Sequence, residues 1–252
     1  MDNNFVTQES GSSDDDIINK ILENVSLVDD YREVRLPSLG MGVYNLNSDS
    51  IHVRGMTFED EKALASLKDK TKIMDILIER CVKEEINPAE LLPQDKIYLM
   101  VHIRSISVGS SQEVAVTCPK CAKKSSVEVD VLETFPCTYP EEALQKDVEL
   151  ELPTLKKVVK LRRISSGDLE KYKNEELLNN LWRFVLIIDG NSNPKIRAKV
   201  IDKLPRQDIK VIISTIMCEE IGLDTRFMFS CISCGHEELT DFNFQDGFFT
   251  MT

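Results

Sequence analysis

Residues 113–131 read EVAVTCPKCAKKSSVEVDV and residues 226–244 read RFMFSCISCGHEELTDFNF. Each stretch places a Cys-x-x-Cys pair, Cys118 with Cys121 and Cys231 with Cys234, between two runs that alternate apolar and polar residues. Alternation at period two is the pattern of a half-buried strand, so each stretch predicts a β-hairpin whose tip carries two thiols. Two such tips brought together form a four-thiolate tetrahedron, the preferred shell of structural zinc. Four sulfurs close that shell and leave no position for substrate or activated water. Most of the second half of the chain separates the two pairs, so the intervening segment must fold and return. A redox pair is the competing chemistry, but it requires a helix N-terminus after the first Cys, and turn residues and returning strands follow both pairs here.

The chain has 252 residues, 42% of them apolar, enough to bury a sizeable core. Seven cysteines, four in metal-type spacing, suit a reducing compartment better than a disulfide framework. No apolar run is long enough for a bilayer, and the N-terminal stretch is acidic where a signal peptide is basic. The formal net charge of −12 argues against nucleic acid and anionic membrane as partners, because phosphate neutralisation needs an excess of Lys and Arg.

Reading outward, three regions emerge. Residues 1–35 form an acidic flexible leader, and within residues 1–30 Asp2, Glu9, Asp14, Asp15, Asp16, Glu23, Asp29 and Asp30 face the single base Lys20. Within it Ile17, Ile18, Ile21, Leu22 and Val25 recur at helical spacing, giving a short amphipathic helix that docks on its own core or on a partner. Residues 36–110 form a helical unit. Thr57 with Asp60 is a capping signal, a helix follows from about Thr71, and another runs from Pro93 to Gly109. Residues 111–252 hold the hairpins with intervening strands at 148–152 and 158–164. Helices follow at about 166–188 and from Pro205, where Gly222 is placed to end the last one. No repeat of fixed period is visible beyond the two hairpins. The predicted class is α+β, an N-terminal helical unit plus hairpins and helices pinned by a zinc-ribbon-like site at Cys118, Cys121, Cys231 and Cys234.

Other reactive residues have plainer readings. His236, two residues after Cys234, is either an exposed turn histidine or a replacement ligand that would open the site. His52 and His102 have no catalytic companions in sequence, and Cys81, Cys137 and Cys218 lack partner spacing and read as small buried hydrophobes. Lys156, Lys157, Lys160, Arg162 and Arg163 make a basic strand, either a solvated sheet face or an acceptor for an acidic segment. Without interleaved aromatics it is a poor nucleic-acid platform. No phosphate loop, dinucleotide fingerprint, nucleophile elbow or paired-carboxylate motif occurs.

The order of Leu36-Pro37-Ser38-Leu39-Gly40, Val53-Arg54-Gly55-Met56-Thr57, Glu59 to Lys62, Ile78-Arg80-Cys81 and Leu91-Leu92-Pro93-Gln94-Asp95, running to Arg104 and the first Cys pair, resembles the baseplate hub and hub-assembly family of T-even-type contractile-tailed bacteriophages. The resemblance covers residues 36–135 closely and the remainder more loosely. It implies a non-enzymatic structural or assembly protein of the tail baseplate hub. Its partners would be other hub or tail proteins, met in the host cytoplasm during assembly and then in the virion tail. No catalytic residues carry over. Two other classes remain open on the residues: a zinc-dependent hydrolase using cysteines and His236, and a zinc-ribbon nucleic-acid-binding or regulatory adaptor.

Overall fold

The computed structural model describes residues 13–22, 30–42, 47–142, 144–172, 175–242 and 244. The first part of the expected flexible leader lies outside these residues. The fold is α+β, as the pattern predicts. It contains helices α1 (Asp14–Leu22), α2 (Phe58–Ala65), α3 (Ile73–Cys81), α4 (Pro93–Val108), α5 (Ser166–Lys171), α6 (Glu175–Asn179), α7 (Pro194–Ile201) and α8 (Arg206–Met217). Its strands are β1 (Arg32–Arg35), β2 (Ser50–Val53), β3 (Ser111–Thr117), β4 (Lys124–Asp130), β5 (Cys137–Thr138), β6 (Asp147–Glu151), β7 (Val158–Arg162), β8 (Val185–Ile188), β9 (Gly222–Leu223), β10 (Arg226–Ser230) and β11 (Glu237–Asp241). All pairings are antiparallel, in small sheets β1–β2, β3–β4, β5–β9, β10–β11 and β6–β7–β8.

Three expectations need correction. The segment after α6 is not helical to Ile188. Val185-Leu186-Ile187-Ile188 is an apolar run with three β-branched residues that pairs with β7 as the third strand of a sheet. The last helix ends on Cys218, which takes the left-handed conformation at φ 53°, rather than on Gly222. Most consequentially, the hairpins are not the only repeated feature.

The architecture is built twice. In the first half, β1 runs into Leu36-Pro37-Ser38 and turns back into β2; in the second, β6 runs into Leu152-Pro153-Thr154 and turns back into β7. Leu36 and Leu152 are fully buried. Ser38 and Thr154 each donate a backbone N–H to a fully buried aspartate in the first turn of the later long helix. Ser38 reaches Asp95 Oδ1 at 2.9 Å and Thr154 reaches Asp208 Oδ1 at 2.8 Å. At the strand-to-helix corner, Arg54, Thr57 and Asp60 correspond to Arg162, Ser165 and Asp168. Thr57 and Ser165 are N-caps in capping boxes, and Arg54 Nη1 and Arg162 Nη1 each donate to the capping aspartate's Oδ2 at 2.7 Å. The backbone N–H of Arg54 donates to Cys81 and that of Arg162 to Phe184, so each half returns a third segment to its hairpin. The return is a single bridge at Val82 in the first half and the strand β8 in the second. Asn87-Pro88 and Asn193-Pro194 follow, each Asn side chain accepting from the amide two residues on. Gly109 and Gly222 take matching left-handed φ values of 95° and 97° after the long helices, and the Cys-x-x-Cys hairpins close each half.

The halves meet along α4 and the end of α8. Ser166 and Gly167 donate backbone N–H groups to Leu91 and Ala89, and Gln94 Nε2 donates to the Met217 carbonyl. A Cβ at Gly222 would stand 2.9 Å from Gln94 Cβ, so this approach requires glycine. Each half has its own core. One is built on Leu36, Ile51, Val53, Leu77, Ile78 and Leu99, the other on Leu152, Leu161, Phe184, Ile212 and Ile216. A third cluster joins α4 to both Cys-bearing hairpins through Met100, Val101, Val116, Val129, Phe227 and Phe229. Ser13, just before α1, exchanges hydrogen bonds with Asp16, and the helix leaves Ile17, Ile18 and Ile21 exposed rather than packed on the chain's own core.

Candidate metal centre

Backbone hydrogen bonds build both hairpin tips alike. Cys118 donates its N–H to Lys123 and accepts from Ala122; Cys231 donates to His236 and accepts from Gly235. The reversal needs one left-handed residue, Ala122 at φ 56° in the first tip and Gly235 at φ 66° in the second. This tight loop turns both sulfurs of a pair to one side.

The tips meet reciprocally. Cys118 Sγ lies 3.7 Å from Cys234 Sγ and Cys121 Sγ lies 3.7 Å from Cys231 Sγ, so the first thiol of each pair faces the second of the other. All four sulfurs lie within 4.8 Å of one another. A disulfide requires about 2.05 Å, so these are free thiols. A tetrahedral ion with metal–sulfur bonds of about 2.3 Å sets sulfur–sulfur edges of about 3.8 Å, which the two close contacts match. Cys118 and Cys231 are buried at the edge of the shared core and Cys234 is exposed, so the cluster has an apolar floor and a wet rim. Amide N–H groups of Ser233 and Cys234 aimed at Cys231 hold its thiol down, while burial and the neighbouring thiols push Cys234 up, so Cys231 is the readier thiolate of the two.

The residues expected to compete for this site lie elsewhere. His236 stands outside the sulfur cluster, its Nε2 3.8 Å from Glu238 Oε2. His52 Nδ1 contacts Glu84 Oε1 at 2.6 Å, and His102 stacks at a tilt on Tyr98, where burial lowers its pKa. Cys81 is a buried core thiol, pushed up to about 12 by burial. Cys218 is buried too, but it accepts from Arg163 Nη1 at 2.9 Å and is more than a filler. Cys137 is half-buried in β5.

The basic strand is largely neutralised within the chain. Lys157 pairs with Asp189, Lys160 with Asp147, Arg162 with Asp168 and Arg163 with Glu220. These pairs satisfy the bland reading of a solvated, self-paired face and leave little charge for an acidic guest segment. The residues that sequence reasoning overlooked are the anchors Asp95 and Asp208, which fix each long helix to the loop of its own half. A signal existed: the same number of residues separates Asp95 from Cys118 as separates Asp208 from Cys231.

Among the described residues, no helix is long and apolar enough to cross a membrane. A family model described as T4 bacteriophage base plate protein matches residues 30–249, which takes in both halves and all four clustered cysteines. No curated protein and no solved structure matches the chain.

Proposed function

This chain belongs to the T4 bacteriophage base plate protein family, and on that premise we propose that it is a structural or assembly protein of the baseplate hub, acting through contacts with other tail proteins. It holds one structural zinc through Cys118, Cys121, Cys231 and Cys234. The observation that carries this reading is the reciprocal four-thiol cluster inside the matched region, with sulfur–sulfur contacts of 3.7 Å. A four-thiolate zinc has no open coordination position, so its work is to tie the middle of the chain to its end. The metal supplies folding free energy, because the unfolded chain has no preformed site. The protein acts without catalysis, during assembly in the host cytoplasm and then in the tail.

Elemental analysis with X-ray absorption on the purified chain tests the metal, with one zinc and four sulfur neighbours expected. A nitrogen neighbour with bound water would overturn the closed site. Cys118→Ser and Cys231→Ser should each lose zinc and unfold at lower temperature. Mass spectrometry of purified baseplates and assembly intermediates tests the role, and absence of the chain from both would overturn it.

A further inference from the structure

The duplication supplies an internal control for the surface of the metal-bearing hairpins. Met228 pairs across the strands with Leu239 in the second hairpin, as Ala115 pairs with Ser126 in the first. Ile232 of the second tip stands where the first has Pro119. All six side chains are exposed, Met228 at 63%, Leu239 at 52% and Ile232 at 91%. The first hairpin therefore folds in the same register with small side chains on that face, and the large apolar ones on the second serve neither hairpin pairing nor the sulfur cluster. Met228 and Leu239 are exposed cross-strand neighbours on one face, with Ile232 exposed at the tip, and such an apolar patch marks a contact site.

The surrounding charge identifies the occupant. On the outer face of β11, Leu239 is flanked by Glu237 and Asp241. The base opposite Asp241, Arg226, is bonded to Asp224 at 2.6 Å and attracts Asp241 only at longer range. The corresponding ring in the first hairpin is basic at its tip, with exposed Lys120, Lys123 and Lys124. Among the described residues β11 pairs only with β10, and no other described strand lies along its second edge, the side on which a strand can add.

We propose that the outer face and open edge of β11 receive an extended segment of another baseplate protein, carrying an apolar residue with a basic residue two positions to either side. At period two these three side chains share one face. The apolar one then lies beside Leu239 and extends the row that Leu239 forms with Met228, and the two cations face Glu237 and Asp241. Two copies of the acidic face repel each other, which disfavours a symmetric homodimer. This inference rests on the baseplate reading for the source of the segment, and on the hairpin geometry for its chemistry.

The test uses the full chain and a labelled peptide, Thr-Lys-Thr-Val-Thr-Lys-Thr, with its Glu counterpart as control, read by fluorescence anisotropy at low salt. The Lys peptide should bind at least about tenfold tighter than the Glu peptide and weaken at 0.5 M salt, where screening shortens to a few ångströms. The variant Met228→Ala with Leu239→Ser installs the residues of the first hairpin, so it should keep its metal and melting temperature yet bind the Lys peptide at least about tenfold more weakly. Equal binding by the variant, equal binding of both peptides or no binding by the wild type would each overturn the proposal. Concentration-dependent self-association lost in the variant would name a second copy as occupant. Slow amide exchange on β11 that disappears on deleting residues 245–252 would name the chain itself; either outcome overturns it. Finding the unaltered chain in baseplates while the variant also assembles normally would sink this surface and leave the baseplate reading standing.

Discussion

Replacing Asp60 by Asn isolates the corner on which the first half turns. The Asp60 carboxylate is 1% exposed and accepts from Arg54 Nη1 at 2.7 Å, Arg80 Nε at 2.6 Å, Thr57 N at 2.8 Å and Thr57 Oγ1 at 3.0 Å. Arg54 also donates to the Gly55 and Arg80 carbonyls, so one carboxylate joins the end of β2, the start of α2 and the end of α3. Asn keeps the shape but accepts with only one oxygen and turns an NH2 toward a guanidinium. Loss of a buried charge-assisted bond costs about 1.5–3 kcal/mol and loss of the reciprocal cap about 1 kcal/mol. The expected destabilisation is about 3 kcal/mol, near the low end for breaking a buried pair, because the Arg80 side chain reaches solvent. In urea titrations at fixed excess zinc this lowers the midpoint by about 1 M at unchanged slope. Asp168→Asn is the internal reference. It faces one arginine and is 18% exposed, so it should cost about half as much. Burial alone would raise the Asp60 carboxyl, but the bonds from Arg54, Thr57 and Arg80 outweigh it and hold it well below the usual range. Its contribution is thus complete above about pH 4 and is lost as pH falls further, so the gap between wild type and Asp60→Asn should close in acid. A cost below about 1 kcal/mol, an order reversed with Asp168→Asn, or a gap that widens in acid would rule out Asp60 as the charged anchor of this corner.

Asp95 should behave oppositely. Burial pushes its carboxyl up to about 7 against the opposing bonds from Ser38, so between about pH 4 and 7 the folded state holds a proton that the unfolded chain has released. Stability then declines as pH rises through that window, and Asp95→Asn should abolish the slope in thermal melts taken pH by pH. Ala122→Gly relieves a left-handed alanine in the first tip and should stabilise by about 0.5–1 kcal/mol, whereas Gly235→Ala should destabilise by about 1 kcal/mol; calorimetry decides both signs. The paired losses of zinc in Cys118→Ser and Cys231→Ser should be equal, since the two thiols hold equivalent buried places.

The local grammar of the chain was legible in its residues. The two Cys-x-x-Cys hairpins were readable because strand alternation and metal spacing are short-range patterns, and they formed in the expected places. The Thr57 cap and the helix beginning at Pro93 were readable for the same reason. Val185 to Ile188 was not, since a short apolar run has no period that separates strand from helix until a neighbour such as β7 claims it.

Most of the elements, the two thiol pairs and the acidic net charge could be read from the residues alone, because local periodicity, pair spacing and composition need no tertiary contact. That Cys118 faces Cys234 and Cys121 faces Cys231 follows from how the two distant hairpins pack on α4, and the folded chain sets it. Folding likewise decided that the basic strand is answered by the chain's own acids, and that the architecture is laid down twice. The duplication stayed hidden because its halves share few residues: a buried leucine, an arginine with its capping aspartate, an aspartate accepting backbone amides, and a thiol pair. Insertions such as α7 change the spacing among them, so no fixed period survives. The arginine, the capping aspartate and the amide-accepting aspartate recur because each answers a buried polar group, which packing alone cannot do, while most apolar positions between them tolerate exchange.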